Sequence, residues 1–188
     1  IYVCQGYGTS ETGWLAGSNE NSRKLGSVGR PLPYQKIDIA GSDGNELASD
    51  QIGAIRINGN PAGKYRYLSD DGSVHINAVG STLTGDLGFI DREGYLFVTG
   101  REKDLIIRGG VNISPLEIDN VVLQIPEVAD VATVGVPDST YGEQVIIFVQ
   151  TIGGKNLTKT QIINHCGNHL ADFKMPQEVI FRDGLPKT

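Results

Sequence analysis

The sequence has 188 residues, 39% of them hydrophobic and 20% charged. That is the balance of a globular protein with enough chain to bury a real core. A formal net charge of −6 at pH 7 argues against nucleic acid or an anionic membrane surface as the main partner. No apolar run is long enough for a transmembrane segment, and the first residues do not read as a signal peptide. The two cysteines, Cys4 and Cys166, form no disulfide framework and no metal-ligand spacing. They suit a reducing, cytoplasmic setting.

The apolar run Ile1-Tyr2-Val3-Cys4 predicts a short buried strand. It leads into the polar, glycine-rich stretch QGYGTSET, Gln5 to Thr12. From about Gly26 to Gly100 the pattern is β-like. Tyr34–Ile39 and Gly53–Ile57 alternate in polarity, and turn signals separate such runs at Gly41–Gly44, Ser69–Gly72 and Asp91–Gly94. The expectation is a small antiparallel barrel or sandwich.

The pattern changes after Arg101. Leu105–Arg108 and Val111–Ile113 flank Gly109-Gly110, a two-residue hairpin signal. Ser114, Pro115 and Glu117 read as N-cap, first helical residue and capping-box partner. Leu116, Val121, Val122 and Ile125 supply the apolar stripe of that helix, and Pro126 ends it. Strands follow at Val128–Val136 and Gln144–Thr151. A second capped helix starts at Thr158 with Gln161 three residues on, and a last strand lies near Glu178–Phe181. This mixture predicts a compact α+β domain over about 103–188. A fully apolar strand at residue 1 belongs inside a parallel sheet, so the chain reads as the C-terminal piece of a larger protein.

A glycine-rich loop can turn several backbone N–H groups toward one anion, with Thr9 and Ser10 adding donors. Glu11 beside a phosphate makes sense if Mg²⁺ bridges the two. Alone, Gln5–Thr12 reads more readily as a polar turn with a solvated acid. Two further stretches bear on it: LTGDLGFIDREGYLFVTGREKDLI, from Leu83, and IIRGGVNISPLEID, from Ile106. In this order the three resemble the adenylate-forming superfamily, which includes acyl- and aryl-CoA synthetases, the adenylation domains of peptide synthetases and beetle luciferases. The resemblance covers nearly the whole chain.

That resemblance implies a mixed α/β architecture in three parts. Residues 1–25 would end a large N-terminal AMP-binding region. Residues 26–102 would be a β-rich subdomain completing the nucleotide site, and 103–188 a mobile C-terminal α+β domain. It implies ATP or AMP held by the loop Gly6, Tyr7, Gly8, Thr9 and Ser10. The Tyr7 ring would lie on adenine, Ser10 would bond the α-phosphate, and Glu11 would ligate Mg²⁺. Asp86 would grip both ribose hydroxyls, with Arg101 on the ribose and phosphate side. Val98 would lie against adenine, or belong simply to the core. Lys103 would be the hinge of the C-terminal domain. Gly109 and Gly110 would line the passage for the pantetheine of coenzyme A.

The implied reaction activates a small carboxylic acid, a fatty acid among the possibilities, as its adenylate. A thiol then displaces AMP. The Asn112 and Pro115 of the second stretch resemble the CoA-ligase form more than the carrier-loading adenylation domain. A non-catalytic nucleotide-binding module is a further alternative. Two departures stand out. Ser81-Thr82-Leu83 replaces the family's usual aromatic pair, and Asn60 to Gly80 is unusual. The family's upstream phosphate loop lies in the N-terminal portion missing here. Its adenylation lysine follows Leu-Pro-Lys-Thr, and the chain ends at Leu185–Thr188, so the 188 residues alone are expected to be inactive. His165 and His169 share a helix face without a third ligand, which fits a solvated face better than a metal site.

Overall fold

A computed structural model describes residues 3–59, 66–68, 71–76, 80–153 and 156–186. The fold is mixed α/β and dominated by sheet, with two short α-helices among the described residues. It divides into two units, Ile1–Glu102 and Lys103–Thr188. No helix of the described residues is long and apolar enough to cross a membrane.

The first unit holds β1 (Gly6–Thr9), β2 (Gly13–Gly17), β3 (Arg30–Pro31), β4 (Lys36–Ala40), β5 (Gly53–Asn58), β6 (Arg66–Leu68), β7 (Val74–Ile76), β8 (Ser81–Ile90) and β9 (Leu96–Arg101). Strands β1-β2-β3 form one antiparallel sheet, β4-β5-β8-β9 a second, and β6-β7 pair antiparallel. The predicted alternation holds in β5. Ile55 and Ile57 are buried, while Arg56 on the other face forks onto Asp38, its cross-strand partner, at 2.7 and 3.0 Å. The Asp91–Gly94 turn is fixed by its first residue. The Asp91 carboxylate accepts from the backbone N–H of Glu93 and Tyr95, at 2.9 and 2.8 Å.

A short link ties the two sheets together. Gly29 accepts from the Leu96 N–H at 2.8 Å, and the buried Ser27 hydroxyl donates to the Leu96 carbonyl at 2.9 Å. Gly29 has φ of 102°, and a Cβ there would run into the Gly17 backbone. Only glycine satisfies both demands. A small core of Ala16, Ile39, Ile55 and Leu96 gathers around this link, with Tyr7, Val28 and Val98 packed on it.

One expectation here is overturned. Val3 and Cys4 are exposed and lie outside every strand; Ile1 and Tyr2 lie outside the described residues, as do Ser69 and Asp70 of the predicted turn. An apolar tetrapeptide forms a buried strand only where a neighbouring edge takes up its N–H and C=O groups. None of the described sheets offers that edge to Val3 and Cys4.

The second unit contains β10 (Ile106–Arg108), β11 (Val111–Ile113), α1 (Pro115–Val122), β12 (Val128–Asp138), β13 (Gly142–Thr151), α2 (Lys159–Gly167) and β14 (Glu178–Phe181). The sheet runs β11-β10-β13-β12, and β14 joins β13 in parallel. Both helices pack on one core that includes Ile113, Ile118, Val122, Val145, Ile147, Ile162 and Cys166. The Gly109-Gly110 hairpin is present, with φ of 58° and 81°. The Thr158–Gln161 capping box is fully made.

Three details of α1 differ from expectation. Ser114 occupies the N-cap, but its side chain makes no cap bond. Glu117 binds Lys174 instead, with Nζ at 2.6 and 2.7 Å from its two oxygens. A half-exposed charge pair has displaced the neutral cap. Leu116 is exposed, and Ile118 takes its place in the core. The helix ends at Val122, several residues before Pro126, as the chain tightens into i→i+3 bonds at Gln124 and Ile125.

Burial pushes the Cys166 thiol up to about 11. At pH 8 it therefore stays protonated and unreactive, whereas Cys4 is exposed. A disulfide reagent at that pH should label one of the two cysteines in the folded chain and both after unfolding. Rapid labelling of both in the folded chain would contradict the buried position of α2.

Candidate functional site

The motif Thr84-Gly85-Asp86 interrupts a ladder. Along β5 and β8 the register runs Ala54↔Leu87 and then Arg56↔Leu83, so β8 carries the extra residues and bulges. Bulges re-aim side chains. Gly85 adopts φ of 80°, and the Thr84 hydroxyl secures both sides. It accepts from the Asp86 N–H at 3.1 Å and donates to the Ile55 carbonyl at 3.2 Å. This local pattern of hydroxyl, glycine and acid is legible in sequence, and Thr84 is the residue that fixes it.

Beyond the bulge, β8 and β9 form a hairpin across the Asp91–Gly94 turn, and its register places Asp86 opposite Arg101. The spacing of the two residues is thus that of a cross-strand pair. Arg101 Nε lies 3.3 Å from Asp86 Oδ1. Asp86 is 13% exposed and Arg101 60%, so the carboxylate is sheltered and the guanidinium reaches water.

Tyr7 arrives from the other sheet. On β1 it pairs with Ala16 of β2, next to a register shift at Gly8. Its hydroxyl donates to Asp86 Oδ2 at 2.6 Å. No local signal announces this bond, because a long stretch of sequence separates the two residues. Burial, and then the bond to Asp86, push the Tyr7 phenol well above its ordinary value. Val98, on β9, packs on the same small core as Tyr7.

The structure therefore brings Tyr7, Asp86, Val98 and Arg101 together. The remaining loop residues line the adjoining hairpin. Gly6 and Gly8 lie on β1, where a Cβ would meet Trp14 and the Gly13 carbonyl respectively. Thr9 closes the turn through its hydroxyl, 2.7 Å from that of Thr12. Ser10 is exposed and Glu11 half-buried at the turn itself. The stretch is thus a strand and a tight turn. Lys103, Gly109 and Gly110 belong to the second unit. Lys103 is exposed in a 3-10 turn, Glu102–Asp104.

The histidine pair differs from the expected solvated face, because His165 is half-buried while His169 is exposed. His165 Nε2 lies 3.0 Å from the Val121 carbonyl, and His169 Nδ1 lies 2.8 Å from the carbonyl of His165. Among the described residues no group of three or more His, Cys, Asp or Glu could hold a metal ion.

Comparison with known proteins finds similarity to CoA ligases. Residues 117–188 match the family model of the AMP-binding enzyme C-terminal domain. Indoleacetate–CoA ligase of Aromatoleum aromaticum is 38% identical over 192 residues, covering 100% of this chain and 38% of that protein. ATP-bound MatB of Rhodopseudomonas palustris superposes with a TM-score of 0.85 at 34% identity, over 99% of this chain and 38% of that one. The o-succinylbenzoate CoA synthetase of Bacillus subtilis, in complex with its acyl-adenylate, gives a TM-score of 0.83 at 32% identity. It covers 98% of this chain and 38% of the other. Residues 117–188 thus carry the match to the AMP-binding enzyme C-terminal domain, and the chain as a whole is similar in sequence and fold to CoA ligases. It spans about 34–38% of the length of the curated relatives it matches.

The Tyr7–Asp86 bond has a pH signature. The phenol's folded pKa lies above its unfolded value of about 10. Its contribution to stability is therefore complete below about pH 10 and is lost as pH rises further. Below about pH 10.5, the phenolate absorbance of the folded wild type should match that of Tyr7→Phe. Asp86→Asn, which removes the negative charge, should bring Tyr7 ionisation to lower pH. A wild-type phenolate signal exceeding that of Tyr7→Phe near pH 10, with the fold intact by circular dichroism, would contradict the bond.

Proposed function

We propose that this chain is the nucleotide-gripping and C-terminal segment of a magnesium-dependent, AMP-forming acyl- or aryl-CoA ligase. One observation carries the reading: the Asp86 carboxylate bound by Tyr7 and Arg101, one on each oxygen. A carboxylate has about four acceptor sites, two per oxygen. With one used on each, one remains on each. Two vicinal ribose hydroxyls are a matched pair of donors for those sites.

In this reading the Tyr7 ring supports adenine, with Val98 at its edge. Ser10 presents its hydroxyl to the α-phosphate with Thr9 beside it, and Gly6 and Gly8 keep the strand thin beside the nucleotide. Glu11 supplies the single protein carboxylate that a phosphate-bound Mg²⁺ commonly takes, and its half-buried place on the turn fits that demand. The ion would offset phosphate charge. Residues 1–25 would end the large nucleotide-binding region, residues 26–102 would complete the site, and 103–188 would move about Lys103.

The chemistry has two displacements. A carboxylate oxygen of the acid attacks the α-phosphorus of ATP, the bond to the β-phosphate oxygen breaks, and pyrophosphate leaves. The CoA thiol sulfur, having lost its proton, then attacks the acyl carbon, and AMP departs with the electrons of the acyl–oxygen bond. The protein's share in the first step is positioning and charge compensation. The second is proposed to use the Gly109-Gly110 turn as a thin wall beside the pantetheine chain. Pools of ATP and CoA suit a cytoplasmic setting.

The polypeptide of the complete reading frame should release AMP with at least one acid of a panel containing indoleacetate, o-succinylbenzoate and palmitate, and free CoA should accelerate that release. Asp86→Ala should cost about 2–4 kcal/mol in kcat/KM for ATP, because it leaves ribose donors unpaired. No AMP from any acid would defeat the ligase reading; unaltered ATP kinetics would defeat the role of Asp86. Acyl transfer to a pantetheinylated carrier protein but not to CoA would defeat the choice of acceptor. The 188-residue polypeptide by itself should show only background exchange of pyrophosphate into ATP, and exchange well above a blank would overturn that expectation.

A further inference from the structure

The hairpin β10–β11 is anchored at its base and clamped at its tip. At the base, Ile106 and Ile113 are buried in the unit's core, while Ile107 and Val111 are exposed. The hairpin joins the rest of the sheet through one residue pair, Arg108↔Gly142. Side chains and a carbonyl replace the missing ladder. Glu143 Oε2 accepts from the Ile107 N–H at 2.6 Å, and the Tyr141 carbonyl accepts from the Gly109 N–H at 2.8 Å.

Arg108 closes the arrangement. Its guanidinium lies 5.1 Å from the centre of the Tyr141 ring, and Nη1 donates to the Phe173 carbonyl at 2.8 Å. Tyr141 is held in turn, since Asp138 Oδ1 accepts from the N–H groups of Thr140 and Tyr141 at 2.9 and 2.8 Å. Those backbone bonds, and after them the Arg108 charge, hold the Asp138 carboxyl below its usual range. Arg108 Nε is buried and meets no hydrogen-bond partner among the described residues. That nitrogen thus gives up solvation where the half-buried side chain sits against the ring. Arginine suits this position because its flat cation can stack and donate at once, whereas a lysine ammonium would do one or the other.

We propose that Arg108 is a positioning residue that, through Tyr141 and the Phe173 carbonyl, fixes the Gly109-Gly110 turn for the thiol-accepting half of the reaction. This rests on the proposed ligase reading for what the turn does, but the clamp itself stands on the geometry of the second unit. Since Ile106 and Ile113 seat the base of the hairpin independently, loss of the clamp loosens the tip without unfolding the unit.

Two readouts in the complete reading-frame polypeptide separate these claims. The first is backbone amide exchange over residues 105–113. Arg108→Ala and Tyr141→Ala should speed exchange at Gly109 and Gly110 about tenfold or more, while Tyr141→Phe, which keeps the ring, stays near wild type. The second is the pair of half-reactions with whichever acid the wild type uses. Adenylate formation should change less than about twofold, while kcat/KM for CoA falls about tenfold or more in both alanine variants. Unaltered exchange at the tip overturns the clamp, whatever the activity. A looser tip with CoA kinetics unaltered, or with both half-reactions falling together, overturns the positioning role. A wild type that releases no AMP defeats the ligase reading and leaves the exchange test of the clamp standing.

Discussion

Asp86 is sheltered from water and held from two sides, yet each of its oxygens keeps acceptor capacity, and in the proposed reading it must be both rigid and open. The chain meets both demands by bringing three strands from two sheets to one carboxylate. The β8 bulge points it, β9 sets Arg101 opposite, and β1 delivers the Tyr7 hydroxyl. A sheltered carboxylate without partners would carry a desolvation penalty of a few kcal/mol. The Tyr7 and Arg101 bonds offset that penalty while leaving acceptor capacity unused. Much of the first unit follows from this constraint. The Gly29 link must bring the β1–β2–β3 sheet close to β9, since a displacement of one sheet would separate Tyr7 from Asp86. The glycines of β1 keep the strand thin enough to lie beside Trp14 and Gly13.

The second unit solves a different problem. Its core is continuous and apolar, and both helices and all five strands seat on it. Stability there comes from burial, and polar interactions are concentrated at the margins. The β10–β11 hairpin shows the division clearly. Its inward residues belong to the core, while its glycine tip depends on Glu143, Tyr141 and Arg108. A loop of two left-handed glycines has little conformational preference of its own. Its position is imposed by the chain that surrounds it.

Elements governed by nearest neighbours were legible in the sequence. The Gly109-Gly110 hairpin, the Thr158–Gln161 capping box, the Asp91–Gly94 turn and the strands at Val128, Gln144 and Glu178 all rest on local chemistry. Elements decided by distant partners were not. Ser114 and Glu117 have the spacing of a capping box, but Lys174 offers Glu117 a charged partner that no local pattern reveals. Leu116 has the right period for the core, yet the face that α1 buries is centred on Ile118, Val121 and Val122. Val3 and Cys4 have the composition of a buried strand but no edge to pair with among the described sheets. The proximity of Asp86 and Arg101 follows from a hairpin register that their spacing encodes. The Tyr7–Asp86 bond joins separate sheets and became visible only in three dimensions.

The central claim is that this arrangement serves acid activation on ATP. Carboxylate-dependent exchange of labelled pyrophosphate into ATP, measured on the polypeptide of the complete reading frame, tests it most directly. At least one carboxylic acid should drive exchange in the wild type, and with that acid 2′,3′-dideoxy-ATP should be a far poorer substrate than ATP. Exchange that is absent for every acid, or that treats the dideoxy nucleotide and ATP alike, would contradict it.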